Sequence, residues 1–244
     1  RDFQLHYQPI VDLETGELHG FEALIRWQHP TKGLLTPDKF IATVEETDLI
    51  STVGEWTLLT ACQQISQWQA QNFVSHDLHL TVNLSVKQLW HTVLIQQLAR
   101  VLDNSQIRPH CLTLEITESL LMENIEATDK LLQQVQAMGV KVSIDDFGTG
   151  YSSLSYLHQL PVDSLKIDRA FVSPPTASLK SRTIAESIVG LSNLLGLDAI
   201  AEGIETQEQL DWLRSLHCEY GQGYLFAKPL PADRAEQLLM TGEI

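Results

Sequence analysis

Residues 3–27, FQLHYQPIVDLETGELHGFEALIRW, decide the fold. Two apolar runs, FQLHYQP (3–9) and LHGFEALIRW (18–27), flank a short link with Gly16 as its turn residue. That link cannot hold a crossover helix, so the pair is antiparallel. Beyond it the pattern changes. Six further strand candidates are LHLTVNL (78–84), CLTLEIT (111–117), VKVSID (140–145), DSLKID (163–168), LDAIAE (197–202) and EYGQGYL (219–225). Amphipathic helical stretches, such as Glu126–Met138 and Ala177–Leu195, lie between them. Strand-then-helix repeats build parallel strands. Eight strands predict an α/β fold, a modified TIM-type (β/α)8 barrel with an antiparallel first strand. The competitor is an open doubly wound sheet, but no G-x-G-x-x-G follows the first strand.

The chain has 244 residues, enough for one large core, and shows no repeat or linker. Residues 1–244 are therefore expected to form a single domain. It starts without Met and almost at once with a strand, which suggests a domain cut from a larger protein. No apolar run approaches a membrane span, so this domain is expected to make no membrane contact. A formal net charge of −15 repels DNA and RNA polymers. It still permits a small phosphate ligand, because bound metal ions can supply the missing positive charge. Cys62, Cys111 and Cys218 lie far apart with no C-x-x-C. They read as reduced thiols of a cytoplasmic protein rather than a zinc site or disulfide framework.

Side chains alternate across a strand, so each strand sorts into two faces. Leu112, Leu114 and Ile116 oppose Cys111, Thr113 and Glu115; Val140, Val142 and Ile144 oppose Lys141, Ser143 and Asp145. The apolar faces belong against helices. The small polar faces point into the barrel and end in Glu22, Asn83, Glu115, Asp145, Lys166 and Glu202, at the mouth where barrels carry their sites. A single acidic strand end reads as a loop cap; this many on one parity do not. Asp146 would face away in an ideal strand, so the strand is expected to end at Asp145, with the glycine-containing loop turning Asp146 inward. Clustered carboxylates raise one another's pKa unless cations intervene. Oxygen donors without paired His or Cys select Mg²⁺ or Mn²⁺. Two ions about 4 Å apart, sharing Asp145, suit phosphoester hydrolysis. Enolase-like proton abstraction also fits such residues.

Several motifs are decoys. The DFG at 146–148 has no H-R-D loop or Gly-rich phosphate loop beside it. His76 and His79 read as surface and barrel-interior residues, and Trp56, Trp68 and Trp212 fit helix packing better than base stacking.

The blocks FEALIRW (21–27), NLS (83–85), LEITES (114–119), IDDFGTGYSSLSYL (144–157), LKIDRAFV (165–172), AEGIET (201–206) and QGYLFAKPLP (222–231) run in order along the chain. Together they resemble the EAL domain family, bacterial phosphodiesterases that hydrolyse the second messenger cyclic di-GMP. The resemblance implies a barrel with a reversed first strand and conversion of cyclic di-GMP to linear pGpG by a water that two metals activate. It implies that Glu22, Asn83, Glu115, Asp145 and Asp146 bind two Mg²⁺ or Mn²⁺ ions. Asp145 would bridge them and Glu202 would complete the second-ion side. Lys166 would position and help activate the water, Gln222 would hold a water or substrate contact, and Arg26 would grip a phosphate. Gln8 and Glu205 are implied as outer or substrate contacts. The loop 147–153, with Phe147, Gly148 and Gly150, would couple metal binding to a dimer contact, anchored by Glu118. A homodimer and attached sensory or GGDEF domains are also implied, and the full-length protein could be membrane-anchored. Asp48 and Glu219 depart from the family pattern without touching the metal set. Relatives that have lost ligands survive as binding modules, so the alternative is a cyclic di-GMP receptor with weak or no turnover.

Overall fold

The computed structural model describes residues 2–47, 49–71, 77–91, 93–121, 124–150, 157–172 and 179–242. β1 (Phe3–Asp12) and β2 (Leu18–His29) form a long antiparallel hairpin, in register from Phe3 opposite Trp27 to Val11 opposite Leu18. β3 (Gly33–Leu35) extends the far end of β2. β4 (His79–Asn83), β5 (Leu112–Thr117), β6 (Lys141–Phe147), β7 (Ser164–Ile167), β8 (Asp198–Ala201) and β9 (Tyr220–Gly221) then follow in parallel, starting on β2. β1 returns antiparallel to β9 through Val11 and Asp12 and closes an eight-stranded ring. β10 (Leu230–Pro231) adds to the edge of β1. The reversed first strand and the seven parallel partners are those the sequence predicts.

Two differences have physical causes. β3 and β10 are too short to show alternation. The last barrel strand shrinks from the predicted 219–225 to two residues, because the chain turns against Ile204. A Cβ on Gly223 would lie 2.1 Å from the Ile204 carbonyl oxygen.

Helices cover the outside. α1 (Leu49–Ala70) buries Leu58, Ala61, Ile65 and Trp68 at helical spacing. The fully buried Trp68 ring meets Tyr7 at 5.0 Å and Phe21 at 5.5 Å, a burial worth roughly 2–3 kcal/mol. α2 (Leu94–Ser105) sinks Leu94, Leu98 and Val101, and α3 (Ile125–Ala137) sinks Thr128, Leu132 and Val135. α4 (Leu179–Leu195), α5 (Gln207–Ser215) and α6 (Ala232–Thr241) complete the outer layer. Trp56 packs on Phe3 at 6.3 Å, and the Arg182 guanidinium stacks over Trp212 at 5.0 Å. All three tryptophans are packing residues. Among the described residues, no helix is long and apolar enough to cross a membrane.

Inside the barrel, buried Thr81, Thr113, Ser143 and Ser164 leave room for longer side chains above them. At the closed end His19 stacks on His79 at 4.2 Å, with Tyr220 against His19 at 4.0 Å. Burial, helped by Lys141, pushes His19 down to about 4; burial, helped by His19 and Lys141, pushes His79 down to about 3. Both therefore stay neutral when folded. Unfolded imidazoles take up protons near 6.5, so this pair costs nothing above that value and destabilises the fold as pH falls from 6.5 towards 3. Thermal melts at pH 7.5 and 5.0 check this. The Tm drop of the wild type should exceed that of His79→Gln, and equal drops would refute the linkage.

Candidate active site

The strands deliver their inward residues to the opposite, C-terminal end. Register sets the neighbours: Gln8 faces Glu22 across the hairpin, and Asn83 lies beside Glu115. Lys166 is fully buried. Its Nζ lies 2.6 Å from Glu202 Oε1, 2.8 Å from Glu115 Oε1, 3.4 Å from Glu22 Oε2 and 3.5 Å from Asp145 Oδ1. Gln222 Nε2 donates to Glu22 Oε2 at 2.7 Å and to Glu202 Oε1 at 2.9 Å, while Asn83 Nδ2 donates to Glu22 Oε1 at 2.7 Å. One ammonium and two amides thus hold together a knot of four carboxylates.

The electrostatics sort these acids. Burial alone would raise Glu22, but Lys166 and the hydrogen bonds from Gln222 and Asn83 hold it below the usual carboxylate value. Burial pushes Glu115 well above that value against the pull of Lys166. Burial likewise pushes Glu202 up to about 7 against Lys166, with Asp145 and Glu22 adding to the rise. Asp146 is pushed up to about 6 by burial and by Asp145 and Asp168. For Lys166 burial favours the neutral amine, yet Asp145, Glu115, Glu202 and Glu22 together hold its pKa well above the ordinary value. It remains an ammonium.

This donor set fits a divalent cation. The carboxylate oxygens of Asp145, Asp146 and Glu202 lie within 4.8 Å of one another. Glu115 Oε1 meets Lys166 as an ion pair but off the hydrogen-bond line, and among the described residues neither Glu115 oxygen nor Gln222 Oε1 has a hydrogen-bond partner. Of these, Glu115 Oε2 and Gln222 Oε1 lack an ion pair as well, and a buried acceptor of that kind costs about 1–3 kcal/mol. Hard oxygens with unspent lone pairs and raised pKa values suit a cation, which would reverse those shifts.

Asp146 corrects one expectation. β6 does not stop at Asp145; it runs on to Phe147, which pairs with Ile167. The alternation breaks inside the strand. Asp146 adopts φ +54°, and the register to β7 slips between Ile144 and Phe147. Aspartate tolerates this left-handed conformation because its neighbours bond locally. The Asp146 N–H donates to Asp145 Oδ1 at 3.0 Å, and Thr149 Oγ1 donates to the Asp146 carbonyl at 2.8 Å. A bulge, not a loop, brings the two carboxylates together.

The segment after it is tied down. Buried Glu118 accepts from the Gly148 N–H at 2.8 Å and the Gly150 N–H at 3.2 Å through Oε2. Gly148 has φ +93°, and a Cβ there would press on Ile188 and Phe171 at 3.1 and 3.2 Å. Phe147 lines a groove with Ile184, Ile188 and Leu191 of α4. Residues 151–153 of that loop, like His76 and Asp48, lie outside the described residues.

Beside the carboxylates opens a cleft of about 500 Å³, lined by Gln8, Glu22, Asn83, Asp145, Glu202 and Gln222 on one side and by Leu24, Pro37, Ile41 and Ile50 on the other. The Arg26 side chain is buried nearby, and its Nη1 donates to the Ile25 carbonyl at 2.9 Å. Glu205 is different. It is exposed and does not line the cleft, and its N–H donates to Gln209 Oε1 at 2.7 Å. The cleft wall at Gln88 was missed from sequence. Ser85 and Gln88 form a capping box that fixes the turn after Asn83, and S-x-x-Q at 85–88 is the signal that could have found it.

A (β/α)8 barrel with one reversed strand, carrying an acidic, cation-ready site at its C-terminal mouth, defines the class of protein. The family model described as EAL domain matches residues 1–229, and the chain belongs to that family. Cyclic di-GMP phosphodiesterase NbdA of Pseudomonas aeruginosa is 44% identical over 237 residues, which is 97% of this chain and 30% of NbdA. The structure of the PaMucR phosphodiesterase in complex with c-di-GMP superposes with a TM-score of 0.93 at 42% identity, covering 96% of this chain and 94% of that one. The EAL domain of Mycobacterium smegmatis DcpA gives a TM-score of 0.85 at 35% identity, covering 99% of each. The chain spans about a third of the curated relatives it matches, as NbdA shows.

Proposed function

We propose that this chain is a phosphodiesterase domain that hydrolyses cyclic di-GMP to linear pGpG. It would act as one unit of a longer cytoplasmic signalling protein, joined there to sensory or GGDEF domains. The observation that carries the reading is the knot of Glu22, Glu115, Asp145 and Glu202 around Lys166 at the mouth of an EAL barrel. Glu22, Asp145 and Glu202 of that knot line a cleft large enough for part of a dinucleotide. An enolase-like reaction finds no comparable support.

Glu22, Asn83, Glu115, Asp145, Asp146 and Glu202 would hold two Mg²⁺ or Mn²⁺ ions, with Asp145 shared between them. When bound, these ions supply Lewis acidity, easing deprotonation of a water and offsetting charge on the phosphate oxygens. The chain's own groups do the rest. Gln222 Oε1, a buried acceptor without a donor among the described residues, would hold the attacking water by one proton. Lys166 keeps its proton and lends positive charge to an anionic transition state. Arg26 presents a planar cation suited to a phosphate, and Gln8, beside Glu22, would line the substrate's path. The water oxygen joins phosphorus, and one ribose oxygen leaves with a proton. Glu118, through Gly148 and Gly150, would couple Asp146 to the α4 groove, where a second copy would dock.

Incubation of the protein with cyclic di-GMP and Mg²⁺ or Mn²⁺, followed by chromatography, tests the reading. Linear pGpG should accumulate, stop with EDTA, and fail to appear with Ca²⁺, whose larger and looser coordination fits poorly. Cyclic di-GMP bound but recovered intact would point to the receptor instead.

A further inference from the structure

A second group of metal-capable side chains sits at the other end of the barrel. Cys111 ends the short 3-10 turn Pro109–Cys111 that leads into β5, and Asp77 lies in the turn before β4. The two strands are neighbours, with Leu80 level with Leu112. A thiol sulfur from Cys111, an imidazole nitrogen from His110 and a carboxylate oxygen from Asp77 all lie within 4.8 Å of one another. Ligand atoms around a tetrahedral zinc sit roughly 3.3–3.6 Å apart, so modest side-chain movement closes the triangle. The thiol is buried on the inner side, whereas Asp77 and His110 are exposed and leave the outer side open to entry.

The chemistry differs from that of the mouth. Sulfur, nitrogen and one oxygen favour zinc-type cations over Mg²⁺, and three protein ligands leave a fourth position for water. Asp77 already attracts a cation: Arg108 Nη1 lies 2.9 Å from its Oδ1, and His110 Nε2 lies 3.4 Å from the same oxygen. An exposed ion pair of this kind is worth at most about 1 kcal/mol, so it yields to coordination. A search for C-x-x-C misses such a site, because its ligands come from the turns that lead into two neighbouring strands. We propose that Asp77, His110 and Cys111 form a zinc-binding site that ties the turn before β4 to the start of β5. This inference is independent of the phosphodiesterase reading.

Cobalt(II), a spectroscopic stand-in for zinc, tests it on the whole chain with Mg²⁺ present to fill the mouth. Thiolate ligation should give a sulfur-to-cobalt charge-transfer band that saturates at a single equivalent and disappears on adding Zn²⁺. The mouth has no sulfur and cannot produce it. Cys111→Ser should abolish the band, and the exposed His110→Ala should weaken cobalt binding more than tenfold while hydrolysing substrate at the wild-type rate. If Cys111→Ser does not fold, His110→Ala decides, with a zinc-induced rise in Tm present in the wild type and absent in the variant. No band, a band kept in Cys111→Ser, or wild-type titration by His110→Ala would overturn the site.

Discussion

Lys166→Met should lower turnover of cyclic di-GMP by about 10²–10³-fold, and it should also destabilise the metal-free protein. The ammonium is the cation that four carboxylates share, at 2.6 to 3.5 Å, with no exposure to solvent. Methionine matches its length and removes the charge. Breaking a buried ion pair by removing one partner costs about 3–5 kcal/mol, because the remaining charge is left uncompensated. Glu115 and Glu202 would protonate rather than stay ionised, as burial already pushes both upward. The loss in Tm should be largest in EDTA and should narrow with saturating Mg²⁺, since a divalent cation replaces the missing charge. Turnover should not recover with it. The readouts are melts and product formation at matched Mg²⁺. A variant that regains both with metal would show Lys166 to be a counter-ion only, with no part in the reaction.

The sequence revealed the barrel because strand parity and the short first link are local features. It also revealed which side chains reach the mouth, since Glu22, Asn83, Glu115, Asp145 and Lys166 share one parity at strand ends. What it did not reveal depends on register and backbone sign. Lys166 meets acids from four other strand ends only once the ring closes, so its fourfold pairing has no linear signal. Gln222 bridges Glu22 and Glu202, 200 and 20 residues away. Asp146 reaches the site through a positive φ that no hydrophobic pattern encodes. Glu205 shows the reverse limit: a residue inside a matching block whose side chain faces solvent.

Asp146 allows ligand chemistry to be separated from backbone strain. Asparagine and glycine accept φ +54° easily, whereas alanine there costs on the order of 1 kcal/mol or more. In EDTA the expected Tm order is therefore Asp146→Asn at the top, Asp146→Gly close to it and Asp146→Ala lowest. Asp146→Asn should equal or exceed the wild type under those conditions. The wild-type carboxyl is pushed from its ordinary 3.8 up to about 6 by burial and by Asp145 and Asp168. Its ionisation therefore works against the fold as pH rises through that interval, a penalty the amide lacks. With saturating Mg²⁺ the wild type should rise above all three variants, whose own order stays as in EDTA, because a cation stabilises the folded state only where its ligands are intact. All three variants should bind Mg²⁺ at least about tenfold more weakly and lose hydrolysis. Melts with and without Mg²⁺, isothermal titration of the metal and the pGpG assay give these quantities separately. Wild-type turnover by Asp146→Asn would remove Asp146 from the metal set and leave it a bulge residue whose carboxylate serves nothing at the mouth.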